Sequence, residues 1–222
     1  MAKIAVVGVG PGGKEHLTPA AIRAVAEADV LVGGERSLAL FSGQPGEIFT
    51  IKNNLQEMIE YIRERMDEKK IAVIASGDPG MYGILQYLRR HFTPAQLQVI
   101  PGISSVQYAC ARLAVSWHDA VVVSTHGRDR TVLAETVAGN SKVVVLAGPE
   151  EPPPVLASVL VNAGMKDKTA YVCAELSYPA EEINAFTILD LARWEGQWDK
   201  RNYVMVILDE QPMDLPDTGN KR

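Results

Sequence analysis

The stretch "VVGVGPGG", residues 6–13, closes an apolar run and places glycines at Gly8, Gly10 and Gly13. That spacing, G-x-G-x-x-G, is the pattern of a loop that wraps a dinucleotide pyrophosphate, and it raises the question of a nicotinamide or flavin enzyme. A dinucleotide loop needs a helix that opens inside the glycine run, so that its first amides face the phosphates. Here the helix signal comes later. Thr18 followed by Pro19 reads as an N-cap and first helical residue, which leaves residues 8–17 as a loop. Pro11 also lacks the amide proton that a phosphate cradle uses. Glu35, after the second apolar run, stands where a ribose-binding acid would stand and keeps an NAD(P)-dependent oxidoreductase open. A plain glycine-rich turn above the first strand is equally open.

Outward from this loop, short β-branched runs alternate with helical patterns: "KIAVVGVG", "TPAAIRAVAEA", "DVLVGG". This is the signature of a parallel sheet with helices on its faces, so the predicted fold class is α/β. Residues 55–70, "LQEMIEYIRERMDEKK", put Leu55, Met58, Ile59, Ile62 and Met66 on one helical stripe and charges on the other. Strand "IAVIAS", helix "MYGILQYLRRHF", strand "LQVIP" and helix "SSVQYACARLA" follow. The polar and aromatic "VSWHD" suits a connection, so a boundary is expected at 114/115. A second alternation then runs from "AVVVST" through a helix near 129–138, "KVVVLAG", a helix opened by "EEPPP", and "TAYVCAEL", to "EEINAFTI" and "NYVMVIL" as antiparallel strands. The expected organisation is an N-terminal α/β domain over 1–114, a C-terminal α/β domain over 115–210 and a polar tail over 211–222.

Composition narrows the partners. Of 222 residues, 47% are hydrophobic and the formal charge is −5, which opposes nucleic acid as a ligand because a phosphate-tracking surface is basic. The apolar run Ile4 to Val9 is too short to cross a bilayer, and no signal-peptide pattern surrounds it, so a cytoplasmic protein without a membrane partner is expected. Cys110 and Cys173 show neither C-x-x-C nor Cys/His spacing and are expected as buried thiols, with no metal site. His16, His91 and His118 likewise lack ligand spacing.

Two loops carry more constraint than the first. In "ASGDPGMYG", residues 75–83, a strand ends near Ser76, Gly77 permits close backbone approach, Asp78-Pro79-Gly80 forces a turn, and a helix is expected from Met81. In "VIPGISSVQ", Pro101, Gly102, Ser104 and Ser105 lie between strand and helix, one serine serving as a possible N-cap. Such strand-to-helix crossings at the carboxyl edge of a parallel sheet are where α/β proteins bind ligands. Placed after neighbouring strands, the two would form one pocket edge.

Together, "VGVGPGG", "SGDPGMYG" and "PGISS" resemble the tetrapyrrole methylases, which transfer a methyl group from S-adenosylmethionine to ring carbons of corrin and sirohaem precursors. "VGGERSL" at 32–38, "STHGRD" at 124–129 and "AELSYPAEEI" at 174–183 resemble the branch that methylates C5 of cobalt-precorrin-7 in cobalamin biosynthesis. The resemblance implies two α/β domains with a ligand cleft between them. It implies a homodimer and a corrin-precursor substrate, either with cobalt or metal-free. It differs from the fused C5,15 form, so methylation and decarboxylation at C15 are expected of a separate protein.

By the same resemblance, the methyl donor is held by Pro11, Ser76, Gly77, Asp78, Met81, Ser104, Ser105, Ala147 and Leu176. Gly10 and Gly12, with Pro11, match the wall of the tetrapyrrole trough, which makes the dinucleotide spacing coincidental. Alignment of the two reacting carbons dominates such a transfer, and the hydrogen on C5 must then leave. His126 is the candidate base because an imidazole titrates near neutrality; an exposed loop imidazole or a simple ligand for a carboxylate is the competing account. Arg36 and Arg128 are candidate partners for the substrate's carboxylates, against ordinary surface arginines. Of Glu175, Glu181 and Glu182, the last two read as solvated surface before an edge strand. Methylation at another ring position, a protein histidine derivative as substrate, and a non-catalytic ligand carrier are the remaining alternatives.

Overall fold

A computed structural model describes residues 4–125, 130–148, 150–196, 198 and 202–209. The chain forms two compact units, Met1–Ser104 and Ser105–Arg222.

The first unit is built on five strands: β1 (Ile4–Gly8), β2 (Val30–Gly34), β3 (Glu47–Ile51), β4 (Ile71–Ala75) and β5 (Leu97–Ile100). They lie in the order β3-β2-β4-β1-β5 and all pair in parallel. The central strands are covered on both faces and read as apolar runs, every residue of β4 being buried, whereas the edge strands β3 and β5 carry the polar Glu47, Thr50 and Gln98. On one face Ile4, Val6, Val32 and Val73 pack with Met58, Ile59 and Ile62 of helix α3 (Leu55–Arg65). On the other, Val7, Leu31 and Ile74 pack with Ala21 and Val25 of α1 (Pro19–Ala26). Removing each such Ile, Val or Met side chain from water contributes about 1.5–3 kcal/mol.

Of the stripe expected on α3, Met58, Ile59 and Ile62 are buried, while Leu55 and Met66 are half-buried against the same core, Met66 lying just past the end of the helix. Thr18 caps α1, its Oγ1 accepting from Ala21 N at 3.1 Å, with Pro19 in the first turn. The segment before it is not wholly irregular, because Lys14–His16 make a single 3₁₀ turn. The helix expected from Met81 is shorter than the sequence implied: α4 spans only Leu85–Leu88. Tyr82 has φ +51°, a left-handed conformation that stops helical propagation, and Leu85 N reaches back to Pro79 O. The strand β3 and the short helix α2 (Glu35–Leu38) were not anticipated.

The second unit opens with α5 (Ser105–Arg112), which packs against β10 (Tyr203–Leu208). Its strands β6 (Val121–Ser124), β7 (Lys142–Ala147), β8 (Thr169–Ala174), β9 (Glu182–Thr187) and β10 run in the order β6-β7-β10-β8-β9. Only β6 and β7 pair in parallel; β10 is antiparallel to both β7 and β8, and β9 is antiparallel to β8. The antiparallel reading of "EEINAFTI" and "NYVMVIL" is therefore correct. Helices α6 (Arg130–Gly139), α7 (Pro153–Asn162) and α8 (Ile188–Ala192) cover one face, where Leu156, Leu160, Ile188 and Leu191 meet Val145, Met205 and Val172. Among the described residues, no helix is long and apolar enough to cross a membrane.

Candidate functional site

The strand order gives the three signature loops a common location. β1 lies between β4 and β5, so the chain leaves three adjacent strands at Gly8, Ala75 and Ile100. The loops after β4 and β5 do not follow neighbouring strands, as the sequence had implied. The strand between them is β1, and its glycine loop joins theirs.

Contact among the loops is backbone on backbone. Gly10 and Gly77 form a two-way bridge: Gly77 N donates to Gly10 O at 2.8 Å, and Gly10 N donates to Gly77 O at 3.2 Å. Both sit at positive φ, +77° and +67°, where a side chain is strained. Gly102 also belongs to this junction, since an added Cβ there would collide with Gly77 O and Gly8. Asp78 completes it. Its Oδ1 accepts from Gly80 N at 2.8 Å and its Oδ2 from Gly102 N at 3.1 Å, so one carboxylate ties the loop after β4 to the loop after β5. Gly77 and Asp78 thus spend these polar groups on joining loops.

Around this junction Pro11 and Gly12 are buried, Ser76 is exposed, and Met81 is half-buried. Ser104 is buried at the close of the first unit. Arg36 lies exposed on α2, beside Glu35. His126 and Arg128 lie outside the described residues. Sequence reasoning assigned no role to Gly8 or to the Asp78 carboxylate; the glycine pattern marked the first, and the second had no separate signal.

In the second unit, Ser105 opens α5, Ala147 ends β7 and Leu176 follows β8. Ala147 and Ala174 both pair with Tyr203, so the loops leaving β7 and β8 flank the start of β10. The Tyr203 hydroxyl donates to Glu151 O, and burial pushes the phenol well above its ordinary range. It stays protonated at neutral pH and serves as a donor, not a base. Thr125, whose N–H donates to Leu146 O at 3.0 Å, has a buried Oγ1 with no hydrogen-bond partner among the described residues. A hydroxyl with no partner among the described residues, beside the Ala147 loop, suits a ligand that brings its own acceptor.

Glu181 is not solvated surface: its side chain is 12% exposed and accepts from Arg112 Nε at 2.7 Å and from Ser177 N at 2.7 Å. Glu182 is exposed, as expected. Both cysteines are buried free thiols. Among the described residues, no cluster of His, Cys, Asp and Glu is arranged to hold a metal ion.

The chain resembles known proteins along most of its length. It is 36% identical over 208 residues to the cobalt-precorrin-7 C(5)-methyltransferase of Salmonella typhimurium, covering 94% of this chain and 100% of the relative. It is 30% identical to the precorrin-6Y C(5,15)-methyltransferase [decarboxylating] of a Sinorhizobium species, over 81% of this chain and 44% of that protein. The crystal structure of uroporphyrin-III C-methyl transferase from Thermus thermophilus, complexed with S-adenosyl homocysteine, superposes with a TM-score of 0.74 at 25% identity, covering 94% of this chain and 98% of that one. The sequence profile of the Tetrapyrrole (Corrin/Porphyrin) Methylases matches residues 3–192, and the chain belongs to that family.

Proposed function

We propose that the protein is an S-adenosylmethionine-dependent C-methyltransferase that methylates C5 of cobalt-precorrin-7, or of its metal-free counterpart, in cobalamin biosynthesis. The observation that carries this reading is the match to the Salmonella C(5)-methyltransferase along that relative's whole length. The convergence of the three signature loops supports it independently. S-adenosylmethionine supplies an electrophilic sulfonium carbon, and any cobalt belongs to the substrate.

The protein's part is placement. In the first unit Pro11, Ser76, Gly77, Asp78, Met81 and Ser104 are the proposed donor contacts, and in the second Ser105, Ala147 and Leu176. In the first unit the glycine junction fixes the loops after β1, β4 and β5 without bulky groups, which suits a ligand held there by loop backbone and small side chains. Gly10 and Gly12 are proposed to face the tetrapyrrole, whose carboxylates pair with Arg36 and Arg128. His126 is the proposed acceptor of the C5 proton after the new bond forms. The protein acts in the cytoplasm as a homodimer. Methylation and decarboxylation at C15 fall to a separate protein, a reading supported by the Salmonella relative, which is named for C5 alone.

Calorimetric titration with S-adenosylhomocysteine, NADH and NADPH tests the donor first. Binding of the homocysteine compound alone is expected; binding of a dinucleotide alone would restore the oxidoreductase reading. Incubation with cobalt-precorrin-7 and methyl-labelled donor should then place one labelled methyl on C5. Label at another carbon would refute the position. Arg128→Ala should weaken tetrapyrrole binding, and unchanged affinity would remove Arg128 from the site.

A further inference from the structure

The loop between β8 and β9 carries Leu176 between two non-glycine residues in the left-handed region, Glu175 at φ +47° and Ser177 at φ +64°. Such a pair of conformations persists only where the surroundings over-determine them. Three features hold this loop. Tyr178 N donates to Glu175 O at 3.0 Å, and Glu181 N donates to Tyr178 O at 2.9 Å, folding the segment back on itself. The Glu181 carboxylate supplies the third. Oε2 accepts from the backbone of Ser177, immediately after Leu176, and Oε1 accepts from Arg112 Nε, both at 2.7 Å.

Arg112 is the last residue of α5, the helix that opens at Ser105. The Arg112–Glu181 pair therefore ties the Leu176 loop to that helix. With the Glu181 side chain 12% exposed and Arg112 29%, the pair is shielded enough for its geometry to count.

We infer that Glu181, anchored by Arg112, is a positioning residue for the methyl donor: it holds Leu176 in the strained loop and in register with the helix that begins at Ser105. The inference rests on the donor-binding reading above, in which Ser105 and Leu176 are contacts. It assigns no direct contact between Glu181 and the ligand. A glutamine at 181 retains the length but loses the charge that satisfies Arg112 and Ser177 together.

The test is calorimetric titration of the intact protein with S-adenosylhomocysteine, alongside thermal unfolding. Wild type is compared with Glu181→Gln, Arg112→Met, the double variant, and Asp119→Asn, which breaks the separate Lys142–Asp119 pair of the same unit. Expected is a roughly tenfold loss of affinity in either single variant, no further loss in the double variant, and wild-type affinity in Asp119→Asn. In turnover, the KM for S-adenosylmethionine rises while the KM for the tetrapyrrole holds, a split that general loosening does not produce. If Glu181→Gln does not fold, Glu181→Asp, one methylene short, carries the same comparison. Wild-type affinity in the Glu181 variant overturns the inference and leaves the donor reading standing, as does equal weakening in Asp119→Asn. A wild-type protein that binds no S-adenosylhomocysteine overturns the donor reading, and the inference with it.

Discussion

Gly8 and Gly102 meet backbone to backbone: a methyl group on Gly8 would sit 2.5 Å from Gly102 N and 2.8 Å from Gly77 O. Neither neighbour is the movable end of a side chain. Three loops therefore share one point of contact that only hydrogen at Cα permits.

Gly8→Ala should accordingly cost about 1–3 kcal/mol, the range for forcing extra volume into a packed site, and should weaken S-adenosylhomocysteine binding. Gly13→Ala is the internal comparison. It has the ordinary φ of −72°, and the atoms nearest its added carbon would be the flexible end of Glu15. Urea unfolding should show Gly13→Ala near wild type and Gly8→Ala shifted. Equal midpoints would mean that the junction gives way more easily than its backbone contacts imply.

Asp78 holds the same junction by charge. Asp78→Ala removes the acceptor for both Gly80 N and Gly102 N, of which the second is half-buried, and should destabilise by about 1–3 kcal/mol. Asp78→Asn keeps one oxygen and should fall between the two. Denaturant titration of the three proteins checks the order; an Asn variant as unstable as the Ala variant would show that charge, and not the oxygen, holds the loops.

Much of this junction was legible in the sequence, and some was not. The glycines of "VGVGPGG" and "SGDPGMYG" announced close approach, but not what approached; G-x-G-x-x-G fits a pyrophosphate as well as another backbone. What decides is the strand order, which sets β1 between β4 and β5, and no local pattern encodes order. The helices failed where a backbone dihedral overrode propensity: the apolar spacing of "MYGILQYL" is helical, yet Tyr82 is left-handed and α4 begins only at Leu85. Glu181 was misread for a related reason. Its two partners are Ser177, reached through a strained turn, and Arg112, distant in the chain, and a run of acids before an edge strand reveals neither.

Acid should expose a surface network remote from the junction. Lys69, Tyr61 and Arg65 surround Glu47 on β3, and their hydrogen bonds, that from Lys69 foremost, hold its carboxyl at about 2 instead of the ordinary 4.5. The folded state thus binds this proton less readily than the unfolded chain. Its contribution to stability is complete above pH 4.5 and is lost as pH falls through 2. Glu47→Gln should narrow the stability difference between pH 5 and pH 2.5, and thermal midpoints measured across about that window check it. High salt should shrink the effect, because the group is exposed. A variant with the wild-type acid profile would exclude Glu47 as a source of acid lability.

The two thiols should be silent in the native protein. Burial pushes Cys110 up to about 11 and Cys173 higher still, so neither forms thiolate near neutrality. A chromogenic disulfide reagent at about pH 8 should label neither in buffer and both in urea. Rapid native labelling would reveal local opening of α5 or β8.

Thr125 offers a prediction of opposite sign for folding and for binding. Its Oγ1 is buried beside the Ala147 loop with no hydrogen-bond partner among the described residues. An unpaired hydroxyl in such a place costs about 1–3 kcal/mol on protein scales, and valine has nearly the same shape without it. Thr125→Val should therefore stabilise the ligand-free protein, by about 1 kcal/mol in urea unfolding. If the hydroxyl is kept for the methyl donor, the same variant should bind S-adenosylhomocysteine about three- to tenfold more weakly. Both arms are needed, since greater stability alone is expected of any orphaned polar group. A variant that is more stable and binds as tightly as wild type would show that the hydroxyl does not serve the donor.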